Sequence, residues 1–119
     1  MTMTTKLEKF LADAQPRLQS TRWLCVRDME VYVRKSRRLL DGKWYVCLDL
    51  ANIMVLPAKR GQGRFTSFLE TALRINPWQA TYVENVLEER FRSFFRRRGW
   101  TEVPHGEGPP SFYLLTEHQ

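Results

Sequence analysis

Residues 55–73 read VLPAKRGQGRFTSFLETAL: the end of an apolar strand, a loop with two glycines, and a segment in which apolar residues return at helical spacing. Gly61 and Gly63 carry no side chains that would keep an anion away from the backbone amides. The first amides of a helix lack partners inside the helix, and the helix dipole adds positive potential there. The loop therefore has the features of a phosphate or pyrophosphate site.

Two better-known phosphate loops do not fit this stretch. A Walker A loop needs Lys and then Ser or Thr after its last glycine, whereas Arg64 and Phe65 follow Gly63. A dinucleotide-binding fingerprint needs a third glycine where Thr66 stands. Taken alone, the loop is best interpreted as an ordinary strand-to-helix turn, and only its context in the chain changes that interpretation.

The chain length and composition limit the classes of protein. A chain of 119 residues with 43% hydrophobic residues suits one domain over residues 1–119. No apolar run approaches the roughly 18 residues of a membrane span, so we expect a cytoplasmic protein with no membrane partner. An excess of 19 basic over 13 acidic residues favours an anionic partner. Neither a disulfide framework nor a metal site is expected from the few scattered candidates, Cys25, Cys47, His105 and His118.

Periodicity and turn residues predict the order helix, three strands, helix, strand, helix, two strands. The first helix is predicted over residues 6–15, with Thr5 and Glu8 as a capping box. Asp41-Gly42 is a strong signal for a hairpin between the second and third strands. This order predicts a mixed α/β fold.

The third predicted strand, residues 43–55, is apolar on nearly both faces and should be central in the sheet. Simple alternation assigns four residues to one of its faces: Cys47, Asp49, Ala51 and Ile53. Asn85, with Glu88 three residues later, is predicted to cap the third helix, and Gly99 to end it. The predicted buried stripe of that helix is Leu87, Phe91, Phe94 and Phe95.

Two segments resemble the cofactor-binding motifs of the GNAT-type N-acetyltransferase superfamily. The first, a strand ending in V-x-P before an Arg/Gln-x-x-Gly-x-Gly/Ala loop, is matched by Val55, Pro57, Arg60 and Gly63. The second is VENVLEERFRSFFRRRGW, in which an Asn opens a helix that ends in Gly and an aromatic residue; it is matched by Asn85, Gly99 and Trp100. The motifs occur in the family's order and together span nearly half of the chain.

The resemblance implies a GNAT-like fold, a mixed and mostly antiparallel sheet with about three helices packed on it. It also implies acetyl-CoA as co-substrate, with its pyrophosphate on the loop amides and its pantetheine arm between the strand before the loop and ATYVEN. A backbone amide near residues 54–56 would polarise the thioester carbonyl. The cofactor-binding residues that it indicates are Met54, Val55, Leu56, Arg60, Gly61, Gln62, Gly63, Arg64, Phe65 and Asn85.

Three features depart from the family pattern. Phe65 stands where the loop usually has Gly or Ala, and Phe95 stands where the family often has a tyrosine that protonates the departing thiolate. The N-terminal portion has room for one helix where the family usually places a strand and two helices. We therefore predict Glu84 as the general base acting through a water, with Asp49 as an alternative, and Tyr113 as the replacement acid.

The leading hypothesis is an acyl-CoA-dependent N-acetyltransferase that moves an acetyl group from acetyl-CoA to a primary amine. The alternative is a catalytically inactive GNAT-like module that docks nucleic acid or an acidic protein through a basic surface, which would require Arg96 to Arg98 to share one patch with Arg34 to Arg38. A third hypothesis is a homo-oligomer or other assembly in which a partner completes the acceptor pocket.

Overall fold

The computed structural model describes residues 1–55 and 63–116, and of Val55 it describes the backbone alone. The elements follow one another in the predicted order. The helices are α1 (Met3–Ala14), α2 (Arg64–Ile75) and α3 (Glu89–Arg97), and the strands are β1 (Ser20–Val26), β2 (Met29–Leu40), β3 (Lys43–Val55), β4 (Ala80–Val83), β5 (Thr101–His105) and β6 (Gly108–Leu115).

The six strands form one sheet in the order β1-β2-β3-β4-β6-β5. All neighbours are antiparallel except β3 and β4, which run parallel. β3 lies inside the sheet, as predicted, and the hairpin between β2 and β3 turns at Asp41 and Gly42. Both residues have positive φ, 49° and 80°, as a tight two-residue hairpin turn requires. The predicted mixed, mostly antiparallel sheet with three helices is confirmed.

All three helices pack on one face of this sheet. Their buried residues join strand residues in a single main core, which includes Phe10 of α1, Leu69 of α2 and Phe95 of α3. The buried cluster on the opposite face consists of strand residues alone, namely Leu40, Cys47, Ala80, Tyr82 and Tyr113. We call this second side, on which the described residues place no helix, the helix-free face.

A β-bulge near the end of β3 overturns the simple alternation predicted for that strand. Glu30 pairs with Met54, but Tyr32 pairs with Ala51, so β3 has one residue more than β2 between these pairs. Asn52 accommodates the extra residue with a positive φ of 46°. As a consequence Ile53 packs against the main core, and its predicted place on the face of Cys47 was wrong.

Two helix starts differ from their predictions. α1 begins three residues early, because Thr2 rather than Thr5 caps it and accepts a hydrogen bond from the Thr5 amide at 3.1 Å. α3 begins at Glu89 with Glu88 as its N-cap, so Asn85 is not the cap. Leu87 therefore lies before the helix and is 73% exposed, not buried as predicted.

The end of α3 leads into the last hairpin of the sheet. Gly99 follows the helix with a φ of 79°, which confirms its predicted role as the residue that ends it. β5 extends to His105 and β6 begins at Gly108, so a short turn joins them. This hairpin carries β6 beside β4.

Leu69 and Leu87 form a matched test of the core. Leu69 is 1% exposed in the main core and Leu87 is 73% exposed. We expect Leu69→Ala to lower the free energy of unfolding by about 2–5 kcal/mol, because it leaves a cavity. We expect Leu87→Ala to change it by less than about 0.5 kcal/mol. Urea denaturation followed by circular dichroism measures both, and comparable losses would contradict the described start of α3.

Candidate active site

The site forms where two parallel strands part. β3 and β4 pair over only four residues each, Cys47 to Leu50 and Ala80 to Val83. The last tie between the strands is a 3.0 Å hydrogen bond from the Glu84 amide to the Leu50 carbonyl. Beyond this point β3 continues beside β2, whereas the chain after β4 leaves it.

The departing segment is fixed to β6. The Asn85 amide donates to Ser111 Oγ at 3.0 Å and the Val86 amide donates to the Pro110 carbonyl at 2.7 Å. Asn85 turns the chain with a positive φ of 53°, a conformation that Asn tolerates better than most residues. This turn replaces the helix cap that was predicted for Asn85.

The gap between β3 and the departing segment is a cleft of about 690 Å³. Five parts of the chain supply its walls: the end of β3, the start of α2, residues 83–88, α3, and Pro109 of β6. The lining residues used below are Ala51, Asn52, Ile53, Gly63, Arg64, Phe65, Glu84, Asn85, Phe91 and Phe95.

The start of α2 lines this cleft with residues 63–66. Gly63 is the N-cap with a φ of 72°, and as a glycine it has no side chain with which to cap the helix. An added Cβ at Gly63 would meet no atom within 4 Å, so the approach to the helix start is open among the described residues. Phe65 belongs to the main core and also lines the cleft, with its ring 4.6 Å from that of Phe91 between centroids.

The predicted cofactor-binding residues divide into three groups. Those that line the cleft are Gly63, Arg64, Phe65 and Asn85. Those that lie outside the described residues are Leu56, Arg60, Gly61 and Gln62. Met54 is exposed and does not line the cleft, and only the backbone of Val55 is described. The guanidinium of Arg64 forms an ion pair with Asp28 at 2.9 Å, so its charge is shared with the turn between β1 and β2.

The predicted base, Glu84, lines the cleft and is bound by arginine. Oε2 of Glu84 forms an ion pair with Nη2 of Arg34 and lies 3.6 Å from Nη2 of Arg38. Asp49, the alternative base, is fully buried and accepts two hydrogen bonds from Arg38, at 3.1 and 2.8 Å. Asp49 does not reach the cleft, so of the two carboxylates the structure places Glu84 at the site.

Arg38 is fixed by its surroundings as a permanent cation. Burial acts to lower the pKa of Arg38, but the hydrogen bonds and negative charge of Asp49 outweigh that effect, and the pKa is raised above its ordinary value. The guanidinium also lies over the ring of Tyr82, 3.9 Å from its centroid. Asp49 and Arg38 therefore form a neutral, rigid unit in the helix-free face.

The predicted acid and the residue it would replace occupy different sides of the sheet. Tyr113 is buried on the helix-free face, paired opposite Tyr82, and does not line the cleft. Phe95 lines the cleft from the helix side and stacks on Phe112 with 5.1 Å between ring centroids. A role of Tyr113 as acid stays a prediction.

Sequence reasoning missed the arginines that bind Glu84. The signal was present, because the turn at Asp41-Gly42 sets the register of β2 against β3. Counting back from the pair Leu40 and Lys43 places Arg34 directly opposite Asp49, as the structure shows. The bulge at Asn52 carried no such signal, since it depends on how β3 packs.

Within the described residues, no helix is long and apolar enough to cross a membrane. No group of three or more His, Cys, Asp and Glu residues in this part of the chain is placed to hold a metal ion.

Solved structures identify the fold, although no protein-family model and no curated protein matches the sequence. A Tyr-to-Phe mutant of the AtaT toxin bound to the C-terminus of the antitoxin AtaR is 17% identical, with a TM-score of 0.58 over 75% of this chain and 59% of the toxin chain. AtaTR bound with AcCoA is 12% identical, with a TM-score of 0.57 over 88% and 74% of the two chains.

A Desulfovibrio desulfuricans protein assigned to the GNAT family of acetyltransferases is 15% identical, with a TM-score of 0.51 over 93% and 77% of the two chains. AtaT complexed with acetyl-methionyl-tRNAfMet and a KacTA-DNA complex also match, each at 15% identity. The chain therefore has the GNAT-type N-acetyltransferase fold. The chain spans less than two thirds of the AtaT mutant chain.

The two cysteines provide a test of the helix-free face. Burial raises the pKa of the Cys47 thiol to about 12, and the charge of Asp49 adds to the effect, whereas Cys25 is exposed. Since the thiolate is the reactive form, we expect Ellman's reagent at pH 8 to modify Cys25 rapidly and Cys47 only after denaturation. Absorbance at saturation should report one thiol in the native protein and two in guanidinium chloride. Two rapidly reacting native thiols would contradict this packing.

Proposed function

We propose that the protein is an acyl-CoA-dependent N-acetyltransferase that moves an acetyl group from acetyl-CoA to a primary amine. The observation that carries the proposal is the cleft at the parting of β3 and β4, which is lined by the start of α2, a helix start without a side-chain cap. A helix start with free amides suits the pyrophosphate group of a coenzyme.

The residues present fit a coenzyme of this kind. The amides at Gly63, Arg64 and Phe65 begin a helix of twelve residues, which is long enough for the dipole to act on an anion. The cleft beyond them is lined by apolar groups such as Ile53 and Phe91, which suit an uncharged arm. Asn85 is exposed and lines the cleft, and its side-chain carboxamide can orient the arm by hydrogen bonding.

Acetyl-CoA would supply an activated thioester, and the chain would supply position and a proton acceptor. Transfer forms a bond between the amine nitrogen and the acetyl carbon, breaks the carbon–sulfur bond, and releases one proton from the nitrogen. Glu84 is one of two glutamates that line the cleft, and we assign it the role of proton acceptor through a water. The role of Tyr113 as the acid that protonates the thiolate stays a prediction, because Tyr113 does not line the cleft.

The comparisons support the fold and, less directly, the co-substrate. Two of the matching structures contain acetyl-CoA, one of AtaT with AtaR and one of AtaTR. Those ligands belong to those proteins, at 16% and 12% identity to this chain. They support our proposal because their fold is similar to that of this chain, with TM-scores of 0.53 and 0.57.

The alternative, an inactive module for nucleic acid or an acidic protein, receives less support from the described surface. The arginines of α3 are largely paired: Arg90 with Glu88 at 2.7 Å, and Arg96 with Glu89 and Glu102. The hydrogen bond from Arg96 lowers the pKa of Glu102, which keeps that acid charged beside it. α3 packs on the opposite face from Arg34 and Arg38, so the single basic patch that this hypothesis required does not form.

Binding of acetyl-CoA tests the proposal directly. We expect isothermal titration to detect binding of acetyl-CoA to the wild-type protein. Gly63→Glu should weaken that binding at least about tenfold, since it places a carboxylate among amides that would face a pyrophosphate. Gly63→Ala is the matched control, because it imposes the same strain at positive φ without a charge. No heat at millimolar acetyl-CoA would end the proposal, and equal losses in both variants would assign the effect to strain.

Turnover tests the role of Glu84. We expect release of free CoA thiol when acetyl-CoA is mixed with a panel of primary amines. Glu84→Gln should lower kcat at least about a hundredfold, the usual order for loss of a general base, while leaving the affinity for acetyl-CoA unchanged. Glu88→Gln is the control on the same cleft wall, and its rate should stay near that of the wild type. A normal rate in Glu84→Gln would exclude Glu84 as the proton acceptor.

A further inference from the structure

Four charged side chains meet on the helix-free face beside the cleft. Arg34 and Arg38 extend from β2, Asp49 lies on β3, and Glu84 follows the end of β4. Asp49 is fully buried, and its two oxygens each accept a hydrogen bond from Arg38. A bidentate arginine is the strongest partner available to a buried carboxylate. Arg38 alone therefore satisfies both carboxylate oxygens of Asp49.

Arg34 connects the same buried carboxylate to the cleft. Its Nε lies 3.3 Å from Oδ2 of Asp49, while its Nη2 forms the ion pair with Oε2 of Glu84. Arg38 Nη2 is 3.6 Å from that Glu84 oxygen, which is beyond hydrogen-bond length. Among the described residues, Arg34 therefore makes the short contact to Glu84 and Arg38 the long one.

Glu84, which Arg34 contacts, stands at the opening of the cleft. Its backbone amide makes the last hydrogen bond between β3 and the chain after β4, so its side chain stands where the cleft opens onto the helix-free face. The side chain is 28% exposed, while its Oε2 is buried against the arginines. Oε1 makes no hydrogen bond within the described residues. The ion pair with Arg34 thus leaves one carboxylate oxygen to a ligand.

The geometry points to Arg34 as a positioning residue: it holds Glu84 as a fixed carboxylate, so that Oε1 binds the ammonium form of a primary amine entering from the helix-free face. The ammonium group then loses one proton to solvent, and the neutral amine undergoes the transfer proposed above, in which its second proton passes through a water to Glu84. The inference rests on the proposed function, because it assigns the acceptor side of the same cleft. Entry from this face follows because α2 and α3 occupy the other side. Without Arg34 the Glu84 side chain would regain rotamer freedom, and fixing that freedom again would oppose binding of the amine.

Arg34 and Arg38 form a matched pair for testing this role. Both lie on β2, both contact Asp49, and both side chains are 28% exposed. We compare Arg34→Met with Arg38→Met by the pH titration of the Glu84 carboxyl carbon, measured by NMR on protein labelled with carbon-13 glutamate. Glu84→Gln assigns the signal. The other ionisable groups near this carboxyl are unchanged in both variants: Cys47 and Asp49 of β3, Tyr82 of β4 and Tyr113 of β6.

Loss of a cation next to a carboxylate moves its titration to higher pH, typically by about one to three units for a close pair. We expect Arg34→Met to move the Glu84 midpoint upward by at least about one unit, and Arg38→Met to move it by less than half as much. Equal shifts would overturn the inference, since they would show that both arginines serve only to neutralise buried charge. A larger shift in Arg38→Met would overturn it as well.

Ethylamine serves as the probe of amine binding. We expect its ammonium form to perturb the Glu84 carboxyl signal of the wild-type protein, and Arg34→Lys to raise the dissociation constant at least about threefold more than Arg38→Lys does. The lysine variants keep the positive charge and protect the test if a methionine variant fails to fold. Unperturbed Glu84 in the wild type, or equal effects of the two lysine variants, would reject the positioning role.

The outcome is separable from that of the proposed function. The same proteins are titrated with acetyl-CoA, and we expect unchanged affinity in all four arginine variants, because neither arginine lines the cleft. A wild-type protein that fails to bind acetyl-CoA contradicts the transferase proposal alone. A protein that binds it normally, but whose Glu84 responds equally to both arginines, contradicts the positioning role alone.

Discussion

The pairing of β3 with β4 ends after four residues, and the described site is arranged around that end. β3 continues because the bulge at Asn52 keeps it in register with β2, while the chain after β4 is held by β6 through Ser111 and Pro110. Each strand thus keeps one hydrogen-bonded neighbour after leaving the other, and the cleft opens along the two backbone edges that they no longer share.

The excess of positive charge is a weaker guide to partners than it first seemed, because much of it is used inside the protein. Lys35 donates to the carbonyls of Ala14, Gln15 and Arg17 at the end of α1, where a cation offsets the helix dipole. Arg34 and Arg38 neutralise Asp49 and Glu84. In α3, Arg90 and Arg96 form ion pairs with glutamates that lie two and six residues away in the sequence. A basic composition therefore reports on internal structure here as much as on binding.

The features predicted correctly from the sequence are those that depend on residues close to one another along the chain. The Asp41-Gly42 turn, the apolar stripe of α2 and the end of α3 at Gly99 each depend on residues close in sequence, and all were predicted. Asn85 was misassigned because its amide bonds to Ser111, twenty-six residues away, and that contact cannot be read from the cap pattern around it. Ile53 was misassigned because a bulge is set by packing across the sheet. The cleft could be expected from the motifs, but the arginines around Glu84 required a register count.

The hairpin of β2 and β3 has a consequence for the order in which the molecule assembles. Its long ladder joins residues that are neighbours along the chain, so it closes with little loop entropy. The pairing of β3 with β4 must wait for α2 to cross between them, and β4 then needs β6 from the end of the chain. The two sides of the cleft therefore belong to different paired units, the β2–β3 hairpin and the β4–β6 pair. Breathing motions that separate these units would open the cleft while leaving the hairpin intact.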